Sequence, residues 1–174
     1  MRSPRGALDT GAICPQRWPT MQRAITGYRE DDEGFVVAVL ECGHGFHQRH
    51  RPPFELRPWT LTAEGRASML GTACECLRCD RFERPDGWAE SKRSPEFTAT
   101  SVPAALLHDH DLKAGVWGEL RVYEGRVTLL SEDGALGPWE LVAPATHGIA
   151  PRWRHRVSPS EDARFQVVFF RGGS

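Results

Sequence analysis

The chain has 174 residues, a formal net charge of −1 and a sequence pI of about 6.7, so no overall positive charge favours binding to nucleic acid. Apolar residues make up 40% of the chain and charged residues 26%, a composition typical of globular proteins. No apolar run approaches the roughly 20 residues of a membrane-spanning helix.

The first 20 residues are rich in Pro, Gly and Arg and contain no continuous apolar stretch of the kind found in secretion signals. We therefore predict a flexible extension over residues 1–20 and a cytoplasmic location, where disulfides are rare. Four of the five cysteines lie between residues 42 and 79, which favours a metal site over a disulfide framework.

Two segments of the first half have a readable secondary structure. Residues 35–42 (FVVAVLEC) predict a strand, because they follow the acidic, turn-like run that ends at Gly34. Residues 61–71 (LTAEGRASMLG) predict a short helix with Thr62 as the N-cap and Gly71 at its end. The segment from 21 to 84 is thus expected to be a small α+β unit.

Cysteine and histidine pairs flank these elements. Cys76-Leu77-Arg78-Cys79 has the C-x-x-C spacing that lets two sulfurs face one ion, and Cys42-Gly43-His44 offers a second pair across a glycine turn. The preferred zinc ligands are Cys42, His44, Cys76 and Cys79. His47 and His50 remain alternatives to His44, and Cys74 to either member of the C-x-x-C. Four protein ligands imply a structural zinc site.

The motif order of this half resembles a small bacterial family of unknown function. The matching stretches are CGHGFHQRHRPPF, RPWTLTAEGR and CLRCD, which together cover about residues 23–81. The resemblance implies a zinc-binding module and no activity. The basic and aromatic run from Gln48 to Trp59 also suggests a nucleic-acid contact, although the acidic run at 30–33 argues against such a partner.

The chain changes character near residues 84–95. A turn at 84–87 and a polar stretch predict a linker over 85–92, followed by a β domain over 93–174. Strands are expected in the five segments AGVWGELRVYEG, RVTLLSE, WELVAP, HRVSP and RFQVVFF. The predicted fold class is mainly β, with a C-terminal β-barrel or sandwich preceded by the small α+β module.

Two histidines of this half lie at the ends of predicted strands. His110 precedes one strand and His155 begins another, so both side chains can converge on one interior ion. Zn, Fe and Ni all remain possible there. Lys113 and Arg154 are predicted to contact a ligand, because Arg154 flanks His155 with a charge that attracts anions.

The second half resembles the cupins, in particular a family associated with tellurite resistance. The resemblance covers residues 93–171 and rests on VPAALLHDHDLKAGVWGELRVYEG and the later PRWRHRV. It implies that His110 and His155 take the family's two histidine positions and that Lys113 matches as well. Gly118 lies where a standard cupin has a Glu ligand, so a complete set of three His and one Glu is not readable.

Three functions follow as hypotheses. The first is a metal-binding cupin that binds or senses a small molecule or oxyanion in a stress or tellurite-resistance context. The second is a metal-dependent enzyme, dioxygenase-like or isomerase-like, that uses His110 and His155. The third is a nucleic-acid-linked regulator acting through the N-terminal module. Cupins often pair through sheet edges, so a homodimer is also expected.

Overall fold

The computed structural model describes residues 20–134 and 136–172. We refer to residues 20–83 as the N-terminal segment and to residues 89–172 as the β domain. The flexible extension predicted for residues 1–20 lies, apart from Thr20, outside the described residues. No helix in the described part of the chain is long and apolar enough to cross a membrane.

The N-terminal segment is built on one antiparallel sheet with the strand order β3-β2-β1-β4. The strands are β1 (Gln22–Glu30), β2 (Val36–Leu40), β3 (Gly45–His47) and β4 (Ala73–Glu75). A 3₁₀ turn at Pro58–Leu61 leads into α1 (Ala63–Ser68), and α2 (Leu77–Asp80) follows β4.

The predicted strand and helix of this segment are confirmed. Residues 36–40 form β2, and α1 begins after Thr62, whose hydroxyl accepts a hydrogen bond from the Gly65 amide at 3.0 Å. β1 was not predicted, because its sequence QRAITGYRE mixes charged and small residues without a clear apolar alternation.

The β domain consists of two antiparallel sheets with β10-β7-β12-β5 and β11-β8-β9 as their strand orders, and β6 pairs with β12. The elements are β5 (Ala89–Arg93), β6 (Phe97–Thr98), α3 (Ala104–Leu107), β7 (Trp117–Glu124), β8 (Arg126–Ser131), β9 (Trp139–Val142), β10 (Ala145–Ile149), β11 (His155–Pro159) and β12 (Arg164–Arg171). The mainly β prediction is confirmed.

The expected linker over 85–92 is in part a strand. Residues 89–92 belong to β5, which pairs with β12 at the edge of the larger sheet. Every residue of β5 is exposed, so the strand is held by backbone hydrogen bonds and leaves no apolar alternation in the sequence to detect.

One apolar cluster runs through both parts of the chain. It includes Ile25 and Leu40 of the N-terminal segment together with Trp117, Leu129 and Phe165 of the β domain. Two hydrogen bonds join the parts near this cluster: the indole N–H of Trp117 donates to the Cys42 carbonyl oxygen at 2.8 Å, and the Gly115 amide donates to the Glu41 carbonyl oxygen at 2.9 Å.

Candidate metal centre and ligand cavity

The four preferred zinc ligands come together in the interior of the N-terminal segment. The ligand atoms of Cys42, His44, Cys76 and Cys79 all lie within 4.8 Å of one another, and all four residues are buried. The His44 Nδ1 atom lies 3.5, 3.3 and 3.7 Å from the three sulfurs, and the sulfurs of Cys42 and Cys76 are 3.9 Å apart.

These distances fit a tetrahedral zinc ion. Zn–S bonds of about 2.3 Å and Zn–N bonds of about 2.0 Å place two sulfurs about 3.8 Å apart and a sulfur and a nitrogen about 3.5 Å apart. The cluster can therefore hold a metal such as zinc with little rearrangement, and three thiolates with one imidazole are the donors that zinc prefers in structural sites.

Two tight turns place the ligands. Gly43 has φ +86°, and a Cβ atom there would lie 2.0 Å from the ring of Trp88, so glycine is required between Cys42 and His44. Cys76 is the N-cap of α2, and the first turn of that helix brings the sulfur of Cys79 to the same side.

The thiols strongly perturb one another's acidity. A hydrogen bond to Cys76 raises the pKa of Cys42 to about 11, and the pKa of Cys76 is lowered because Cys42 and then Cys79 donate to its sulfur. Hydrogen bonds with Cys42 and then with Cys76 raise the pKa of Cys79. Zinc binds thiolates and not thiols, so loading the ion must displace the thiol protons of the cluster.

The surroundings of the cluster include a buried cation. The Arg23 side chain is only 4% exposed, and its Nε–H donates to the Cys79 sulfur at 3.4 Å. Three thiolates, a neutral imidazole and Zn²⁺ carry a net charge of −1, which the guanidinium offsets. Arg23 was not predicted as part of the site, because β1 was not recognised and its inward-facing positions were therefore unknown.

The alternative ligands lie elsewhere. His47 is exposed and its Nδ1 lies 3.3 Å from an Asp31 carboxylate oxygen, while the Nδ1 of His50 accepts from the Arg57 amide at 2.9 Å. Cys74 is half-buried in β4 and is not a member of the cluster. His44 is therefore the histidine that the fold brings to the three thiols.

A second candidate site lies in the β domain. His110 and His155 form an isolated antiparallel bridge, with their ring centroids 4.3 Å apart, and both line a cavity of about 310 Å³. We call this space the histidine cavity. Helix α3, β5 and β12 supply much of its remaining wall.

The histidine pair is firmly held. The backbone N–H of each histidine donates to the carbonyl oxygen of the other at 2.9 Å, and Arg156 donates to the Asp109 carboxylate at 2.9 Å beside them. His155 is 1% exposed, and burial lowers its pKa to about 4. Its imidazole is therefore neutral at physiological pH.

The structure does not bring Lys113 and Arg154 to the histidine cavity. Arg154 immediately precedes His155, so its side chain leaves the chain on the opposite side, where its Nε lies 2.6 Å from a Glu132 carboxylate oxygen. Lys113 is exposed and lines a separate, shallow groove next to Asp111 and Arg171. Contact of Lys113 or Arg154 with a ligand stays a prediction.

A third ligand to complete a metal site at the histidine pair is not present in the described parts of the chain. There, the group around Cys42 is the one set of three or more His, Cys, Asp or Glu ligands that meets at a point. A second metal stays a prediction, with His110 and His155 as its two candidate ligands among the described residues.

An aromatic cluster beside the cavity was missed by the sequence reasoning. The ring of Phe82 lies 4.9, 4.7 and 4.8 Å from the rings of Trp139, His147 and Trp153, and Trp153 stacks on His155 at 4.8 Å. Phe82 has φ +55°, a strained conformation for a residue with a large side chain. The sequence gives the positions of the aromatic residues but does not indicate that residues so far apart pack together.

The basic run of the N-terminal segment is partly neutralised. Arg49 lies 4.0 Å from Glu33 and Arg57 lies 3.5 Å from Glu55, measured between charged atoms. Arg49 and Arg51 also lie over the ring of Phe35. These contacts engage the cations that were considered for nucleic-acid binding.

Comparison with known proteins divides the chain into two matched segments. The family described as "Protein of unknown function (DUF3565)" matches residues 26–83, and the TehB-like domain matches residues 92–167. These matches agree with the two resemblances seen in the sequence, while the cupin assignment stays a prediction.

The relatives cover only part of the chain. The probable S-adenosyl-L-methionine-dependent methyltransferase TehB of Haemophilus influenzae (strain 10810) is 29% identical over 84 residues, which are 45% of this chain and 29% of that protein. The crystal structure of TehB from Haemophilus influenzae aligns with a TM-score of 0.45 and 26% identity, covering 50% of this chain and 32% of that chain. A structural-genomics crystal structure of a protein from E. coli (strain K12) aligns with a TM-score of 0.48 and 21% identity, covering 53% of this chain and 98% of that chain.

Proposed function

We propose that the protein binds a small molecule or oxyanion in the histidine cavity of a cupin-like β domain, in a tellurite-resistance or other stress context. The observation that carries this proposal is the cavity itself, about 310 Å³ in volume and lined by the His110 and His155 rings. This volume lies at the lower end of the range of small-molecule sites. The TehB-like match supports the tellurite context.

In this proposal the Cys₃His cluster has a structural role. Cys42, His44, Cys76 and Cys79 would fill all four positions of a zinc ion, so no position is left for substrate or water. A bound zinc would supply folding energy to a segment with a small core and would not supply reaction chemistry.

We do not assign to this chain the methyltransferase activity that the name of the TehB relative states. The chain spans 29% of that protein's length, and every strand pair among the described residues is antiparallel. Dinucleotide-type sites form at the switch point of a parallel, doubly wound sheet, a different architecture. We therefore assign binding, and no methyl transfer, to this chain.

Two variants of α3 test the cavity as the binding site. Ala105 is exposed and lines the cavity, so Ala105→Trp fills the space without disturbing the core, whereas Ala104→Trp on the same helix is a matched control outside the lining. We expect compounds found by ligand-observed NMR on the full chain to lose binding in A105W and to keep it in A104W. Equal binding to both variants would remove the cavity from the proposal.

A metal-dependent enzyme is the second candidate, and the 4.3 Å separation of the histidine rings favours it, because two imidazoles at this distance can share one ion. Elemental analysis of the purified full chain distinguishes the candidates. One zinc per chain that persists in His110→Phe supports the binding protein. A second metal that disappears in this variant supports the enzyme and would justify substrate screens under O₂.

A further inference from the structure

The tautomer of each histidine in the cavity is fixed by a backbone contact. The Nδ1 of His110 lies 2.9 Å from the His108 carbonyl oxygen, and the Nδ1 of His155 lies 2.8 Å from the Trp153 carbonyl oxygen. A carbonyl oxygen can only accept a hydrogen bond, so both Nδ1 atoms must carry the proton. In the neutral rings, each Nε2 then has a free lone pair and can only accept.

Two such acceptors side by side cannot satisfy each other. The rings of His110 and His155 are held 4.3 Å apart by the reciprocal backbone hydrogen bonds between the same two residues. Within residues 20–134 and 136–172, no protein group donates a hydrogen bond to either Nε2 atom. Both residues line the histidine cavity, so the two acceptors are suited to a donor supplied by a ligand from outside the chain.

The rest of the wall is almost entirely apolar. Its apolar side chains include Phe97, Leu106, Ile149, Val157, Val167 and Phe169. The cations Lys92 and Arg93 also contribute to the lining, but both are exposed, and Arg93 forms a double hydrogen bond with Glu90 at 2.7 and 2.8 Å. An anion inside the cavity would lose its hydration and would face acceptor lone pairs.

We propose that the histidine cavity takes a neutral, mainly apolar small molecule carrying at least one O–H or N–H group, which donates a hydrogen bond to Nε2 of His110 or His155. This inference rests on the proposed function and chooses between its two ligand classes, the small molecule and the oxyanion. The apolar wall supplies affinity, and the two acceptors select the donor group.

Three para-ethyl aromatic probes and one oxyanion test the ligand class on the full chain. They are 4-ethylphenol, which has a donor, 4-ethylanisole, which lacks one, 4-ethylbenzoate, which is an anion, and tellurite. Dissociation constants come from NMR titration, and histidine selectively labelled with ¹⁵N reports on Nε2 directly. We expect 4-ethylphenol to bind at least about ten-fold more tightly than the other three and to shift an Nε2 resonance.

A variant isolates the contribution of the acceptors. His110→Phe keeps a ring of similar size at the half-buried position and removes Nε2, so the preference for 4-ethylphenol over 4-ethylanisole should fall in this variant. The wild-type probe series decides the ligand class by itself if the variant does not fold. An unchanged preference in folded H110F and in folded His155→Phe would overturn the role of the histidines.

Other outcomes separate this inference from the proposed function. If tellurite or 4-ethylbenzoate binds more tightly, and A105W abolishes that binding, the ligand class is wrong and the cavity remains a binding site. If every compound that loses binding in A105W lacks a donor group, the ligand class is again wrong. If no compound is sensitive to A105W, the inference and the proposed function both fail.

Discussion

The N-terminal segment and the β domain keep their interiors together in different ways. The N-terminal segment has few fully buried apolar residues, three of which are the cysteines of the metal cluster, and α1 buries none of its residues. The β domain buries large side chains such as Leu120, Leu129 and Phe165. Metal coordination in the first region thus replaces what apolar packing supplies in the second.

The comparison teaches how chain length limits the choice of stabilisation. A segment of about 60 residues buries too little apolar surface to offset the conformational entropy of folding, and a structural metal or disulfide usually makes up the difference. The longer β domain has space for a continuous core and still leaves a cavity. The N-terminal segment therefore needs its metal ligands for stability, whereas the histidines of the β domain are not needed for a structural metal and are available to a ligand.

The largest effect is expected from a substitution that destroys the metal site. Cys76→Ser removes the thiolate that lies closest to His44 and should abolish zinc binding, worth about 10–16 kcal/mol in small zinc domains. Elemental analysis should give no zinc, and amide NMR signals of the N-terminal segment should collapse while most of those of the β domain stay dispersed. Cys74→Ser is the matched control and should keep one zinc per chain. A C76S protein with one zinc and an intact N-terminal segment would contradict the comparison.

The second test concerns acid stability of the β domain. The pKa of His155 is lowered by burial from 6.5 to about 4, so the unfolded chain binds a proton more readily than the folded one. The stability contribution is complete above pH 6.5, is lost as pH falls toward 4 and amounts to about 3 kcal/mol. His155→Asn should remove this pH dependence from the free energy of unfolding, which is measured by urea titration at a fixed zinc concentration. A variant curve parallel to the wild-type curve between pH 6.5 and 4 would refute it.

The third test compares a partly buried aromatic residue with an exposed one. Phe82→Ala removes a ring that contacts three aromatic rings of the β domain and should lower the free energy of unfolding by about 2–3 kcal/mol. Phe54 is 92% exposed, so Phe54→Ala should change it by less than about 0.5 kcal/mol. Similar losses for the two variants would mean that Phe82 does not join the regions.

The smallest effect is expected from a substitution that tests whether the charge of Arg23 stabilises the metal-bound cluster. Arg23→Leu removes the N–H that donates to the Cys79 sulfur and leaves the negative charge of a Zn–Cys₃His site without its nearby cation. Zinc transfer to a chelator should become about five-fold faster, which corresponds to about 1 kcal/mol. Arg29→Leu, at an exposed position of the same strand, is the control. Equal transfer rates for the wild type and R23L would show that the guanidinium has only a packing role.

Local sequence signals were enough to predict the metal ligands. Two short turns with fixed Cys and His spacing bring the donors together wherever the rest of the chain goes, and Gly43 could be recognised as the residue that the first turn needs. The N-cap of α1 was readable for the same reason, because the Thr62 hydroxyl bonds within its own turn. The strands β2, β7, β8, β9, β11 and β12 carried enough apolar residues to be recognised.

Contacts between distant residues could not be predicted. Arg154 was predicted to contact a ligand because it is adjacent to His155, but the side chains of adjacent residues in an extended chain point to opposite sides. The donor from Arg23 to Cys79 spans 56 positions and depends on the pairing of β1 with β4. The pairing of His110 with His155 followed from the cupin resemblance, whereas their tautomers depend on carbonyl positions that only coordinates supply.

The position of Phe82 has a thermodynamic consequence for the whole chain. Its backbone follows Cys79 by three residues, while its ring packs against the β domain, so the metal-bound form and the packed aromatic cluster are favoured together. Zinc binding in the N-terminal segment therefore also favours the packed form of the aromatic cluster. Far above its dissociation constant, each ten-fold rise in free zinc should add about 1.4 kcal/mol to the stability of the N-terminal segment, and the melting temperature of the β domain should rise by a smaller amount through the Phe82 contacts.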